Sequence, residues 1–188
     1  MSADADAWMP SPLWEAAFSN CELRRAYAAV ACVGMNNGGN GMKAEEVRIS
    51  EWEGYQRKDF KLDGHECILV MPKEAHPGKP WVWRAEFFGA FDYADRALLE
   101  KGWHIAYMMI SDMYGCPESI SLMEMFYQYI TEEEGLNKKA DLFGFSRGGL
   151  YSVNYTVKNP ETISTLYLDA PVMNVTSWPG GYGASERY

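Results

Sequence analysis

A serine between two glycines, in Gly144-Phe145-Ser146-Arg147-Gly148, is the segment of this sequence best suited to chemistry. A G-x-S-x-G pattern at the junction of a strand and a helix can hold a serine hydroxyl in an exposed, strained turn, where it acts as the nucleophile of acyl transfer. Here an apolar run precedes the serine and a helical pattern follows it. An ordinary glycine-rich turn or a phosphate cradle is the alternative, but neither nucleotide-binding spacing occurs. We predict that Ser146 is a catalytic nucleophile.

The residues around such a serine would have to stabilise a negatively charged oxygen. The backbone N–H of Arg147 would lie at a helix N-terminus, where it can donate to a developing oxyanion. We expect the second donor in the loop 84–89, from the backbone of Glu86 or Phe87. The Arg147 guanidinium could bind an acidic group of the substrate or form a salt bridge that holds the helix.

Three further side chains are candidates for binding the substrate. Asp112 and Tyr114 follow a predicted strand and should lie at the same sheet edge as Ser146, although they could instead cap the next helix. Trp178 follows the last predicted strand and could form one wall of the pocket or cover the sheet edge.

Alternating short strand-like and helical runs predict an α/β fold with a mostly parallel sheet and helices on both faces. The predicted order is ββ-β-α-β-α-β-α-β, in which Asp63-Gly64 forms the turn of an opening β-hairpin. Asp92 and Asp95 are expected to cap the first of these helices. The carboxyl ends of the parallel strands should line one crevice. The predicted strands are 55–62, 66–71, 80–85, 103–110, 139–145 and 162–168, and the helices are 92–101, 117–134 and 147–158.

The chain is expected to divide near residue 41. Residues 1–41 have a helical pattern that ends in an Asn- and Gly-rich linker, 36–41. This helix could pack on the outside of the main domain or form a partner-binding arm. Residues 42–188 would form the main α/β domain.

Charge and composition exclude several classes of partner. The 26 acidic and 17 basic residues give a net charge of −9, which disfavours nucleic acid and anionic membrane surfaces. The first residues lack the features of a secretory signal, and we expect a cytoplasmic protein. The four scattered cysteines fit neither a disulfide framework nor a zinc site, and the sequence implies no metal or organic cofactor. It does not predict the oligomeric state.

The segments 79–84, 97–102, 144–149, 168–172 and 177–181 together resemble bacterial α/β-hydrolases, similar to prolyl-oligopeptidase-like and carbohydrate-esterase enzymes. The resemblance covers residues 52–181 and implies that residues 42–188 form a partial α/β-hydrolase domain. It implies a serine esterase acting on a small-molecule or carbohydrate ester. A peptidase or amidase of the same fold and a catalytically inactive fragment are the alternatives.

The expected catalytic base is missing from the sequence. In this fold an acid and then a histidine follow the serine along the chain, but His65, His76 and His104 all precede Ser146. We assign none of them to catalysis, and we expect a turn role for Asp169 in preference to the role of the catalytic acid. The resemblance implies two further strands beyond residue 181 that carry the acid and the histidine. We therefore interpret the chain as truncated after the sixth predicted strand.

Overall fold

The computed structural model describes residues 43–174 and Trp178. The predicted helix and linker of residues 1–41 lie outside this part of the chain. The strands are β1 (Glu45–Trp52), β2 (Tyr55–Leu62), β3 (His65–Met71), β4 (Trp81–Arg84), β5 (His104–Met108), β6 (Ala140–Phe145) and β7 (Ile163–Asp169). The helices are α1 (Tyr93–Glu100), α2 (Pro117–Glu132) and α3 (Gly148–Lys158), and a short 3-10 turn spans Pro160–Thr162.

Strands β1 to β7 form one mixed sheet in the order β1-β2-β3-β5-β4-β6-β7. Strands β1, β2 and β3 form an antiparallel meander, and β3 also runs antiparallel to β5. Strands β5, β4, β6 and β7 are parallel to one another, so their carboxyl ends share one edge. We call this the carboxyl edge and the opposite one the amino edge. The order crosses over at β4 and β5, as expected where helices connect parallel strands.

Helices cover both faces of the sheet, as predicted. Side chains of alternate strand residues point to opposite faces, so Trp81 and Trp83 of β4 pack with residues of α2 and α3, such as Phe126 and Tyr155. On the other face, Val82 belongs to a smaller apolar cluster that includes Leu99 of α1. The catalytic candidates therefore sit on a sheet that is anchored from both sides.

The predicted hairpin is confirmed, but the sheet begins one strand earlier than the sequence suggested. Asp63 and Gly64 both have positive φ angles and connect the paired residues Leu62 and His65, as in the tight turns that suit two such residues. Strand β1 was missed because most of its residues are exposed, so it lacks the alternation of buried and exposed residues that predicts a strand.

Helix α1 begins where expected but is not capped as expected. Asp92 occupies the N-cap position without a side-chain hydrogen bond to the helix. Its carboxylate instead lies 3.3 Å from the Nε atom of Arg96. Asp95 is fully buried and pairs with Arg84. The capping prediction was wrong because both carboxylates form ion pairs instead, Asp92 with Arg96 of the same helix and Asp95 with Arg84 of β4.

Within residues 43–174 no helix has both the length and the apolar character needed to cross a membrane.

Candidate active site

Ser146 occupies a two-residue turn between β6 and α3, and it is exposed. Its φ angle of +47° lies in the left-handed region, which costs a residue with a side chain roughly 1–3 kcal/mol. Three backbone hydrogen bonds hold it there. Its N–H donates to the Asp169 carbonyl at 3.0 Å, and its own carbonyl accepts from Gly149 at 3.0 Å and from Val172 at 2.7 Å. The turn is thus fixed by the strand behind it and the helix in front of it.

The glycines of the motif make room for the segments that pass beside the turn. A Cβ atom on Gly144 would lie 2.6 Å from Oγ of Ser152, and one on Gly149 would lie 2.6 Å from Cβ of Pro171. At Gly148 the nearest atom would be farther away, at 3.3 Å. Close approach therefore requires glycine most strictly at 144 and 149, although the motif specifies 144 and 148.

The loop after β4 packs against the first turn of α3. The N–H of Ala85 donates to the Phe143 carbonyl at 3.0 Å, which continues the pairing of β4 with β6. A Cβ on Gly148 would lie 3.6 Å from the backbone nitrogen of Glu86. Phe87 follows with a φ angle of +58°. The structure therefore brings the backbone of Glu86 next to the helix N-terminus, and Phe87 is the next residue along the chain.

The side chain of Arg147 joins two loops of the carboxyl edge. Its Nη1 atom lies 2.8 Å from Oδ1 of Asp112, and its Nε atom lies 3.4 Å from Oε1 of Glu86. The guanidinium carbon also lies 5.3 Å from the centre of the Phe87 ring. Of the two roles considered for this guanidinium, the structure shows the salt bridge.

Glu86 is a buried carboxylate at the edge of the candidate site, 2% exposed. Burial raises its pKa, and the charge of Arg147 opposes that shift. The Ser111 hydroxyl donates to its Oε2 atom at 3.0 Å. Ser111, Glu86 and Arg147 thus form a polar chain that connects the loops after β4, β5 and β6.

The loop after β5 is attached to helix α3 through one hydroxyl group. The Tyr151 oxygen accepts from the backbone N–H groups of Met113 and Tyr114, at 3.0 and 2.8 Å, and donates to the Ile110 carbonyl at 2.9 Å. The ring of Tyr114 meets that of Trp178 edge-on, with centroids 5.4 Å apart. The structure therefore brings together two of the predicted substrate-binding residues.

Neither Asp112 nor Tyr114 caps a helix. Cys116 is the N-cap residue of α2, and Pro117 begins the helix. Asp112 and Tyr114 instead have positive φ angles of 66° and 52° within the loop. The capping alternative is therefore excluded.

Two of the three histidines lie far from Ser146. His104 is the first residue of β5, at the amino edge, where it is buried with its Nδ1 atom 3.3 Å from the Pro80 carbonyl. Burial lowers its pKa. His76 lies in an exposed loop beside Trp103 at the same edge. His65 begins β3, three strands away from β6 in the sheet, or roughly 14 Å at ordinary strand spacing. None is placed to accept the Ser146 proton.

Asp169 supports the serine through its backbone. Its carbonyl accepts the Ser146 N–H, and its carboxylate is exposed at the end of β7. This agrees with the turn role that the sequence favoured.

A cavity of about 400 Å³ lies away from the serine, on the antiparallel side of the sheet. Ion pairs line it, including Arg57 with Asp59 and Lys61 with Glu46. Because its cations already have carboxylate partners, the cavity does not indicate the charge of a ligand.

The strand order places the loops after β4 and β6 on adjacent strands, so that an exposed serine turn faces the loop expected to stabilise the oxyanion. The fold is that of the α/β-hydrolases. Two anchoring residues were not found from the sequence: Tyr151, which holds the loop after β5, and Arg84, which donates hydrogen bonds to the Phe87 and Ala90 carbonyls of the loop after β4. The only signal for Arg84 is a charge at the end of an otherwise apolar strand, Trp81–Arg84.

Comparisons with known proteins found similarity to solved structures, but not to family models or curated proteins. Est1E from Butyrivibrio proteoclasticus is similar in structure, with a TM-score of 0.45 and 15% identity over 64% of this chain and 49% of that one. An alpha/beta hydrolase enzyme, MGS-MChE2, from the metagenome of sediments of the lagoon of Mar Chica, Morocco, gives 0.40 and 14% over 66% and 52%.

A thioesterase domain from the curacin biosynthetic pathway gives a TM-score of 0.40 and 18% identity over 69% of this chain and 47% of that one. This chain spans about half the length of each of these three structures. At such identities the similarity concerns the fold alone.

Proposed function

We propose that this chain carries the nucleophile of a serine hydrolase, Ser146, and that its substrate is a carboxylic ester. The observation that carries the proposal is the conformation of Ser146: an exposed hydroxyl on a residue with φ of +47°, held by three backbone hydrogen bonds. Strain of this kind persists only where surrounding structure enforces it, and it is concentrated at functional sites.

The reaction begins when Oγ of Ser146 attacks the ester carbonyl carbon. The carbonyl oxygen becomes negatively charged, and the N–H of Arg147 together with an N–H of Glu86 or Phe87 stabilises it. The bond from carbon to the leaving oxygen then breaks, and the alcohol departs with the proton that the base took from serine. Water attacks the acyl group, releases the acid and restores the hydroxyl.

The proposal requires a general base, because a serine near its ordinary pKa is a weak nucleophile. The histidines of this chain precede Ser146, and His76 and His104 lie at the amino edge. We assign the proton-accepting role to a histidine supplied from outside these 188 residues.

Two aromatic side chains support the proposed substrate class. Tyr114 and Trp178 present aromatic surface suited to a small-molecule or carbohydrate ester. Asp112 and Glu86 already bind the Arg147 guanidinium, so we do not assign Arg147 to an acidic substrate group. Because the net charge is −9, we propose that the enzyme binds neither nucleic acid nor anionic membrane surfaces. Its cytoplasmic location stays a prediction.

Labelling with a fluorophosphonate probe tests the proposed nucleophile. The purified chain is treated with the probe, with and without added imidazole, a small base that can substitute for a histidine. We expect labelling that imidazole accelerates and that Ser146→Ala abolishes. Ser121→Ala is the matched control, because Ser121 is exposed on α2 and its hydroxyl bonds only within its own helix.

Labelling that survives in Ser146→Ala, or none even with imidazole, would refute the nucleophile assignment and leave the inactive alternative. If labelling occurs as expected, paired ester and anilide substrates with the same acyl group separate an esterase from an amidase. Faster cleavage of the anilide would overturn the preference for esters.

A further inference from the structure

Arg84 and Asp95 form a fully buried ion pair beside the candidate site. Both side chains have 0% exposure, and Nη1 of Arg84 lies 3.7 Å from Oδ1 of Asp95. Within the part of the chain that the structure describes, neither Asp95 oxygen accepts a hydrogen bond, and neither Nε nor Nη1 of Arg84 donates one. Burial thus removes two charges from water without a hydrogen bond between them, and this desolvation costs free energy. A contribution to stability does not account for such a pair.

The remaining guanidinium nitrogen of Arg84 makes the well-formed contacts. Its Nη2 atom donates to the Phe87 carbonyl at 2.9 Å and to the Ala90 carbonyl at 2.7 Å. The guanidinium carbon lies 4.2 Å from the centre of the Phe145 ring, on the residue immediately before Ser146. One buried side chain therefore contacts both the loop after β4 and the end of β6.

The loop that Arg84 binds is strained. Phe87, Gly89 and Phe91 have φ angles of +58°, +81° and +54°, so the left-handed region is visited three times in five residues. For Phe87 and Phe91 this conformation is unfavourable without support. Arg84 donates hydrogen bonds to the Phe87 and Ala90 carbonyls, at either end of the turn that contains Gly89, and these bonds provide that support.

We propose that Arg84 is a positioning residue, which holds the loop 86–90 so that its backbone N–H faces the oxyanion formed at Ser146. This inference rests on the proposed function, because it gives the loop its catalytic purpose. Asp95 fixes the guanidinium from α1, and the Phe145 ring limits its movement from β6. Arg84 touches no reacting atom and acts only through the loop.

The test uses Arg84→Met, Arg84→Lys and the double variant Arg84→Met/Asp95→Leu. In Arg84→Met, the buried Asp95 loses its partner, and the variant can fail to fold for that reason alone. The double variant removes both charges, and a buried ion pair can be replaced by apolar residues at little cost in stability. Arg96→Met is the matched control, because Arg96 is a partly exposed arginine on α1, the helix that carries Asp95. Amide hydrogen exchange reports on the loop, and β1–β3 serve as the internal reference.

The catalytic part is measured with two probes, a phosphonate and its thiono analogue, in the presence of imidazole. The oxygen of the first can be stabilised by N–H donors, and the sulfur of the second is a poor acceptor. We expect Arg84→Met and the double variant to label about 100-fold more slowly with the oxygen probe, as for loss of an oxyanion donor, and to change little with the sulfur probe. Exchange in residues 86–90 should rise about tenfold or more, and Arg84→Lys should recover part of both effects.

Two results would overturn the inference. Unchanged exchange in residues 86–90 would show that Arg84 does not hold the loop, and equal slowing of both probes would show a structural role only. If the unaltered protein labels with neither probe, the proposed function fails and takes the catalytic part of the inference with it. The exchange measurement then still shows whether Arg84 fixes the loop.

Discussion

At the carboxyl edge of the parallel strands, positive φ angles fall mainly on residues with side chains: Phe87, Phe91, Asp112, Tyr114, Ser146 and Ala170. At the amino edge, the turns that lead into β4, β5 and β6 have positive φ angles at Gly78, Gly102 and Gly135. Lys79 is the one residue with a side chain that has a positive φ angle in these three turns. Both edges need tight turns. The difference indicates that the backbone is more strained at the carboxyl edge, where residues with side chains adopt conformations that favour glycine. Such strain is typical of functional sites.

The largest expected effect on stability comes from substituting alanine for a closely packed glycine at each edge, Gly149 at the carboxyl edge and Gly102 at the amino edge. A Cβ on Gly149 would lie 2.6 Å from Cβ of Pro171, and one on Gly102 would lie 2.5 Å from the backbone nitrogen of His76. Because both contacts require backbone movement, each alanine substitution should lower the free energy of unfolding by about 3 kcal/mol. Urea denaturation measures this loss.

The two alanine variants should differ in chemistry. Gly149→Ala displaces the segment that holds the Ser146 carbonyl, so labelling of the folded protein should slow. Gly102→Ala should leave the labelling rate unchanged at temperatures where it is fully folded. Equal slowing in both variants would show that the two edges are not functionally distinct.

The next effect concerns the pH dependence of stability. Burial raises the pKa of Asp95 from 3.8 to about 6, and Arg84 only partly opposes this. The folded state therefore binds a proton that the unfolded state has already lost, and stability falls as the pH rises from about 4 to about 6. The loss should amount to roughly 3 kcal/mol. Asp95→Asn should remove this part of the pH dependence in urea titrations at a series of pH values.

Glu100→Gln is the control for the pH experiment, because Glu100 is an exposed carboxylate on the same helix, and this variant should keep the dependence of the unaltered protein. An identical pH profile in Asp95→Asn and the unaltered protein would mean that Asp95 is not the group responsible. The buried pair at this edge would then not be a source of stored free energy.

A smaller effect is expected from the hydroxyl that anchors the loop after β5. Tyr151→Phe removes the acceptor of two backbone N–H groups and the donor to the Ile110 carbonyl. We expect a loss of about 2 kcal/mol, together with weaker binding of esters by the loop that carries Tyr114. The matched control is Tyr155→Phe on the same helix, whose hydroxyl accepts one bond, from Thr162 at 3.3 Å.

Thermal unfolding and the KM for an ester separate the two tyrosine variants. Tyr155→Phe should change stability by less than Tyr151→Phe and leave KM unaltered. A normal KM in Tyr151→Phe would show that the loop keeps its position without the hydroxyl.

The sequence predicted most of the fold because its local signals agree with the tertiary structure. Strands β2 to β7 and helices α1 to α3 were placed within a few residues, since glycine, proline and apolar periodicity mark their ends. Strand β1 was not found, because an exposed edge strand has no buried face to create a pattern. Sequence periodicity thus does not predict a strand such as β1, which is held mainly by backbone pairing with the neighbouring strand β2.

The candidate site was predicted in its backbone features but not in its side-chain contacts. The turn at Ser146 could be expected because glycine spacing is a local property. The contacts of Arg84 with Asp95 and of Tyr151 with the loop 111–115 depend on segments that only the folded sheet brings together. Asp95, expected to cap α1, was assigned to the wrong partner for the same reason.

The smallest effect measures the strain itself, at Ser146 and at Lys79. Their φ angles of +47° and +46° are nearly equal, and they lie at opposite edges. Glycine should be more stable than alanine at both positions, by about 1 kcal/mol after its greater unfolded-state entropy is included. The comparison of glycine with alanine cancels the loss of each side chain, so denaturation of the four variants reports backbone strain alone. If the strain is equal at both positions and labelling is lost only in the Ser146 variants, then the two edges differ in function although their backbones are equally strained. If glycine is no better than alanine at Ser146, the turn stores no strain, and the conformational argument for the nucleophile loses its basis.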